Sequence, residues 1–186
     1  MQFIRHTNLE GLHAPFSASQ SSWLRYDDEK VREVYANKRA AERGTLLHSW
    51  AKDTIDLRIK QPRSQRTLYA YVNDAIGFDM STEVVLYYSP RFFGTADAIS
   101  FRNGVLRIHD LKTGVTKVKM DQLMVYVALF CLEYKIKPGD LKDVELRIYQ
   151  NDEVEIYNPT AEEIVPVIDK IVHLDNILEK MEEEEV

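Results

Sequence analysis

Cys131 is the only cysteine among 186 residues, so no internal disulfide can form. The same scarcity excludes an all-cysteine metal cage or an iron–sulfur cluster within one chain, and it suits a reducing cytoplasm. Long apolar runs are also lacking. None approaches the ~18 residues that a membrane-spanning helix needs, so no membrane association is expected. The opening Met1-Gln2-Phe3-Ile4-Arg5-His6 lacks the basic-then-apolar profile of a secretion signal. An excess of positive charge is missing too. The net charge is −6, which at first argues against a nucleic-acid partner.

That balance is dominated by one segment. Glu179–Val186 holds one lysine and five glutamates, and without it 23 basic and 25 acidic residues leave a net charge of −2. Positive charge is also clustered, with Arg58, Lys60, Arg63 and Arg66 in one group and Lys112, Lys117 and Lys119 in another. Net charge therefore does not decide between partner classes. An apolar content of 45% is enough to bury a real core.

The pattern along the chain predicts a single α/β domain with three parts: an N-terminal arm over 1–26, a core over 27–178 and an acidic tail over 179–186. Asp27 or Asp28 caps a first helix ended by Gly44. A second helix begins near Thr45 and buries Leu47, Trp50, Ala51 and Ile55. Leu68, Tyr71, Val72, Ala75 and Ile76 predict a third helix, stopped by Gly77. Thr82–Tyr88 is rich in β-branched and aromatic residues and reads as a strand. Gly94–Phe101 and Val105–Lys112 read as an antiparallel pair across Asn103-Gly104, a favoured two-residue turn. Lys119–Tyr134 returns to helical spacing. Val144–Tyr149 and Glu153–Tyr157 predict a second hairpin around Asn151-Asp152. Thr160 and Glu163 form a capping box for a last helix that turns Ile164, Ile168, Ile171 and Leu178 inward, with Pro166 as a point of bending.

The residues that carry chemistry lie between 44 and 126. Side chains alternate along a strand, so Leu106, Ile108, Asp110 and Lys112 share one face, apolar at first and charged as the strand ends. Asp97 lies on the partner strand, where it can converge with Asp110. Two carboxylates and an ammonium group in one place suit a hard divalent cation, a water and an anionic substrate, the parts that phosphodiester hydrolysis needs. The spacing Asp-x-Lys alone is weak, because Asp28-Glu29-Lys30 and Asp140-Leu141-Lys142 match it as well. Neither of those follows a strand bearing an aspartate. His109 neighbours Asp110 but points to the opposite strand face, where packing is its expected role.

Four motifs occur in order: Gly44-Thr45-Leu46-Leu47-His48, Gly94-Thr95-Ala96-Asp97, Asp110-Leu111-Lys112 and Gln122-Leu123-Met124-Val125-Tyr126. This succession resembles the PD-(D/E)xK nuclease superfamily, most closely its RecB-like branch with the phage exonucleases. The resemblance implies a central mixed β-sheet flanked by helices, with a restriction-endonuclease-like αβββαβ core. It implies metal binding by His48, Asp97, Asp110 and the Leu111 carbonyl, with Mg2+ or Mn2+ as the ion. Asp97, Asp110 and Lys112 would be catalytic, and Gln122 and Tyr126 would line the site or touch DNA. The iron–sulfur cysteines of several RecB-like relatives are absent.

The activity expected on these grounds is a divalent-metal-dependent deoxyribonuclease. An exonuclease in DNA recombination, repair or replication is the leading form, and the resemblance implies a phage-like setting. An endonuclease, or a non-catalytic nucleic-acid-binding module on the same fold, is the alternative. The expected partners are DNA, a homo-oligomer, and a recombination or annealing protein.

Overall fold

The structure, a computed structural model, describes residues 3–184. The chain forms two compact units, Met1–Thr45 and Leu46–Val186. In the first, short 3-10 turns at Thr7–Leu9 and Ala18–Arg25 precede helix α1 (Asp28–Asp56). The Trp23 indole N–H donates to the Ser17 carbonyl at 2.8 Å, which orders the serine-rich stretch. Asp27 Oδ1 accepts the Lys30 N–H at 2.8 Å and so caps α1.

Helix α1 runs unbroken through Gly44, where two helices were expected. A glycine inside a helix costs only about 1 kcal/mol against alanine. The alanines and long charged side chains from Asn37 to Arg43 offset that cost, and nothing local competes for the backbone bonds. The next residue, Thr45, returns its hydroxyl to the Ala41 carbonyl at 3.2 Å.

The second unit is built on a five-stranded mixed sheet in the order β1 (Ser81–Ser89), β2 (Phe92–Arg102), β3 (Val105–Leu111), β4 (Asp143–Gln150), β5 (Glu153–Tyr157). Neighbouring strands are antiparallel except β3 and β4, which are parallel. Parallel neighbours need a crossover, and α3 (Asp121–Tyr134) supplies it. Helix α2 (Thr67–Gly77) precedes the sheet and α4 (Ala161–Glu184) follows it. The succession α2, β1, β2, β3, α3, β4 is the αβββαβ order expected from the motifs.

Both tight hairpins have the anticipated turn chemistry. Asn103 (φ 51°) and Gly104 (φ 80°) join β2 to β3, and Asn151 (φ 51°) and Asp152 (φ 60°) join β4 to β5. Two consecutive left-handed residues make the type I′ geometry that matches strand twist.

Apolar side chains cover the two faces of the sheet. On one face Leu86, Ala96, Leu106 and Ile108 pack with Leu123, Val127 and Phe130 of α3 and with Ile164 and Ile171 of α4. On the other, Ala98, Leu111 and Tyr149 pack with Ala51 and Ile55 of α1 and with Tyr71, Val72 and Ala75 of α2.

Two expectations about α4 need correction. Leu178 is exposed, because only the first half of the helix lies over the sheet core. The acidic residues 179–184 are also helical, since Arg91 pairs with Asp175 at 2.8 Å and with Glu182 at 2.7 Å and ties this end down. Residues 185 and 186 of the expected tail lie outside the described residues. Among the described residues no helix is long and apolar enough to cross a membrane.

Candidate functional site

The sheet changes character at Asp97. Ala96 packs against the α3 side and Ala98 against the α1–α2 side, so the alternation of β2 shifts between them. Opposite this point Glu83 of β1 takes φ 50°, while the register is kept on either side of it, Thr82 pairing with Ala98 and Val84 with Ala96. The β2–β3 pairing runs from Arg102↔Val105 only as far as Ala98↔His109. Beyond it the strands part, and the Asp97 carboxylate takes over the role of backbone by accepting the Leu111 N–H at 3.0 Å. Strand β3 stays paired with β4, and Lys112 N–H donates to the Tyr149 carbonyl at 2.9 Å.

The opening between β2 and β3 gathers the motif residues into two adjoining sets of contacts, which meet at Asp110 and Leu111. His48 on α1 brings Nδ1 to 3.4 Å from Asp97 Oδ2. Lys112 Nζ stands 3.0 Å from Asp110 Oδ2 and donates to Gln122 Oε1 at 2.9 Å. Gln122 Nε2 in turn donates to the Tyr126 hydroxyl at 2.9 Å. His48, Asp97, Asp110, Lys112, Gln122 and Tyr126 thus come together, although 78 positions separate the first from the last. The Leu111 side chain is buried in the core, so only its backbone is turned to the site. The two decoys lie elsewhere, Asp28 in the first turn of α1 and Asp140 in a 3-10 turn before β4.

Asp110 is the electrostatic centre of the cluster. It is 1% exposed, and Oδ2 has no hydrogen-bond partner of good geometry even though the Lys112 ammonium is in contact. Burial and then the charge of Asp97 push its carboxyl up to about 6, partly countered by Lys112 and His48. A carboxylate held in this way gains from a cation. The side-chain donors at hand, two carboxylates and one imidazole nitrogen, suit Mg2+ or Mn2+ in chemistry. Among the described residues, however, no three His, Cys, Asp or Glu side chains are placed together to hold a metal ion. The fit rests on the chemistry of the donor set and the buried Asp110 carboxylate.

Two residues near the site were not singled out by sequence. Tyr71 of α2 is buried, and its hydroxyl is pushed well above the usual range by burial and then by the charges of Asp97, Asp110 and Glu83. It read as an ordinary member of an apolar helical stripe. Gln150, at the end of β4, is 7% exposed. Its Nε2 donates to the Gly114 and Thr116 carbonyls at 2.6 and 2.8 Å, and its Oε1 accepts the Val118 N–H at 3.3 Å. Those bonds pin the loop that leads from Lys112 to α3. A lone glutamine at a strand end carries no sequence signal for such a role.

His109 is wholly buried against Phe78 and Tyr149, as its strand face implied. Of the basic groups, Arg58 pairs with Asp79 and Lys117 with Glu155, while Lys112 belongs to the cluster.

A groove of about 910 Å³ is formed by Met120, Met124 and Val125 of α3 with Ile156 and Tyr157 of β5. It is apolar and includes none of the clustered residues, so the chemistry does not belong there. Lys112 borders a cleft of about 180 Å³, with Leu47, Leu68, Thr113 and Asn151 among its walls.

A family model described as "Protein of unknown function (DUF2800)" matches residues 82–176, from β1 through most of α4. No curated protein and no solved structure matches the chain.

Proposed function

The chain belongs to the DUF2800 family, and from the geometry of its polar cluster we propose that it is a divalent-metal-dependent deoxyribonuclease of the PD-(D/E)xK type. The observation that carries this reading is Asp110: a buried carboxylate whose carboxyl is raised by burial and by the charge of Asp97, with the Lys112 ammonium 3.0 Å away. Two carboxylates alone would repel a phosphodiester. With a cation between them and the substrate, the sign of the field reverses.

In this reading Asp97, Asp110, His48 and the Leu111 carbonyl hold Mg2+ or Mn2+. When bound, the ion offsets charge on the phosphate and lowers the pKa of an attacking water. Lys112 donates to a phosphoryl oxygen, where negative charge accumulates as the bond breaks. Gln122 aims that ammonium through its 2.9 Å contact, and Tyr126 holds the glutamine amide in turn. Leu111 N–H fixes one Asp97 oxygen, so this carboxylate does not have to reorganise to accept a cation. The order of elements around the opening between β2 and β3 supports the resemblance to the RecB-like branch, and with it an exonuclease acting on DNA ends.

The test is cleavage of end-labelled linear DNA by the pure protein with magnesium, manganese or a chelator. Cleavage is expected only with a divalent ion, and it should be lost in Asp110→Ala without a change in circular dichroism. A variant that cuts at the wild-type rate would overturn the assignment. Survival of covalently closed circles would mark the activity as end-dependent.

A further inference from the structure

On β2 the side chains of Phe93 and Thr95 alternate onto one face, opposite to Ala96 and the core around α3, and Asp97 follows two residues on, where the alternation shifts. Their cross-strand neighbours on β1 are Tyr87, paired with Phe93, and Val85, paired with Thr95. The Tyr87 and Phe93 rings are stacked, with centroids 6.5 Å apart and planes at 30°. They remain 46% and 61% exposed. The pair is held from behind, because the Tyr87 N–H donates to Glu133 of α3 at 2.9 Å. From Phe93 to Asp97 is four residues of strand, roughly 13 Å at ~3.3 Å per residue. On β2 only the hydroxyl of Thr95 intervenes on that face, with no charge.

We propose that Tyr87 and Phe93 form a stacking platform for nucleobases of a single DNA strand whose backbone continues along β2 toward Asp97. The proposal rests on the nuclease reading and names the form of substrate that the site takes. Every base has an apolar face, so stacking on an exposed ring is tolerant of sequence. A duplex keeps its base faces covered, and a platform of this kind therefore selects unpaired nucleotides. The strip is too small for a protein partner. Val85, Tyr87, Phe93 and Thr95 together expose far less than the roughly 800 Å² that each side gives to a stable protein interface. Its position four residues from Asp97 on the same strand points to the same polymer.

The experiment measures binding of a fluorescent oligothymidylate of about 20 residues, with calcium in place of magnesium, by anisotropy. The variants are Tyr87→Ala, Phe93→Ala and Phe93→Trp. Hydrolysis of the p-nitrophenyl ester of thymidine 5′-phosphate, with manganese, is followed in parallel. Either alanine variant should bind the oligonucleotide about tenfold more weakly or worse. Phe93→Trp should keep wild-type affinity, and all three should hydrolyse the small ester normally. An abasic strand should bind wild type as weakly as the oligothymidylate binds Phe93→Ala. Unchanged affinity in both alanine variants, or equal binding of the abasic strand, would overturn the platform even while the ester is still hydrolysed. Loss of self-association in place of oligonucleotide binding would overturn it too. If wild type hydrolyses neither DNA nor ester but its oligonucleotide binding still depends on Phe93, the platform stands and the nuclease reading fails.

Discussion

Gly94 and Tyr126 are in such close register that a methyl group on the glycine would lie 2.9 Å from Cε1 of the tyrosine ring. The first residue of one motif is thus the space that the last residue of another occupies. Through Gln122, the same ring is connected to Lys112. A glycine three positions before Asp97 therefore acts on the lysine 18 residues downstream.

Gly94→Ala should cost about 1–3 kcal/mol, the usual range for overpacking a filled site. The Tyr126 ring is buried among core residues and must shift as a body. Thermal unfolding reads the loss. DNA cleavage should fall further than stability does, because the displaced ring withdraws its support from Gln122. Adding Tyr126→Ala to Gly94→Ala should recover part of the stability and none of the cleavage.

Asp110→Asn should stabilise the metal-free protein. The folded carboxyl is pushed up to about 6 from 3.8, so its ionisation opposes folding, and the penalty grows as pH rises from 3.8 to about 6. Above that it is fully present and amounts to roughly 2–3 kcal/mol at ~1.4 kcal/mol per pH unit. Urea unfolding at pH 8 with a chelator should show the variant as the more stable protein. Manganese should reverse the order, because only wild type gains from the ion.

His109 acts with the opposite sign. Burial, followed by the charges of Arg147 and Arg107, lowers its imidazole from 6.5 to about 3. Above pH 6.5 both folded and unfolded chains hold it neutral, and there is no penalty. Below that the unfolded chain takes up a proton that the folded one refuses, so stability falls by up to ~1.4 kcal/mol per pH unit until about pH 3. The difference in unfolding free energy between wild type and His109→Gln, followed from pH 7 to pH 4, should change with that slope. A flat difference would mean that the buried ring is protonated in the fold.

Gln122→Ala should reduce kcat and leave metal affinity almost unchanged, because Gln122 touches Lys112 and Tyr126 and neither carboxylate. Losing one hydrogen bond to a charged group is worth about 1.5–3 kcal/mol, or roughly ten- to 150-fold. Tyr126→Phe removes only the far end of the relay and should be milder. Calorimetric titration with manganese separates the effects. A loss of metal binding in Gln122→Ala would place the glutamine among the ligands.

What neighbouring residues encode was legible in the sequence alone: the period-2 strands, the helical stripes of α2 and α3, and the two left-handed pairs at Asn103-Gly104 and Asn151-Asp152. The capping box belongs here as well, with Thr160 N–H bonded to Glu163 at 2.8 Å. These features depend on torsion angles and on side chains a few positions apart, so a single window contains their cause. The motif residues were also visible, because each sits at the end of such an element. Only the tertiary structure decided how they meet. The divergence of β2 from β3 at Asp97, the burial that lifts Asp110 and the fit of Tyr126 over Gly94 all come from packing between distant elements. Arg91 holds Asp175 across 84 positions, and this turned an expected acidic tail into helix. Gly44 shows the same limit: its local cost was plain, but only the whole of α1 determined that the helix would continue through it. Contacts of this kind depend on strand register and on which faces are already filled, and no short stretch of chain records either.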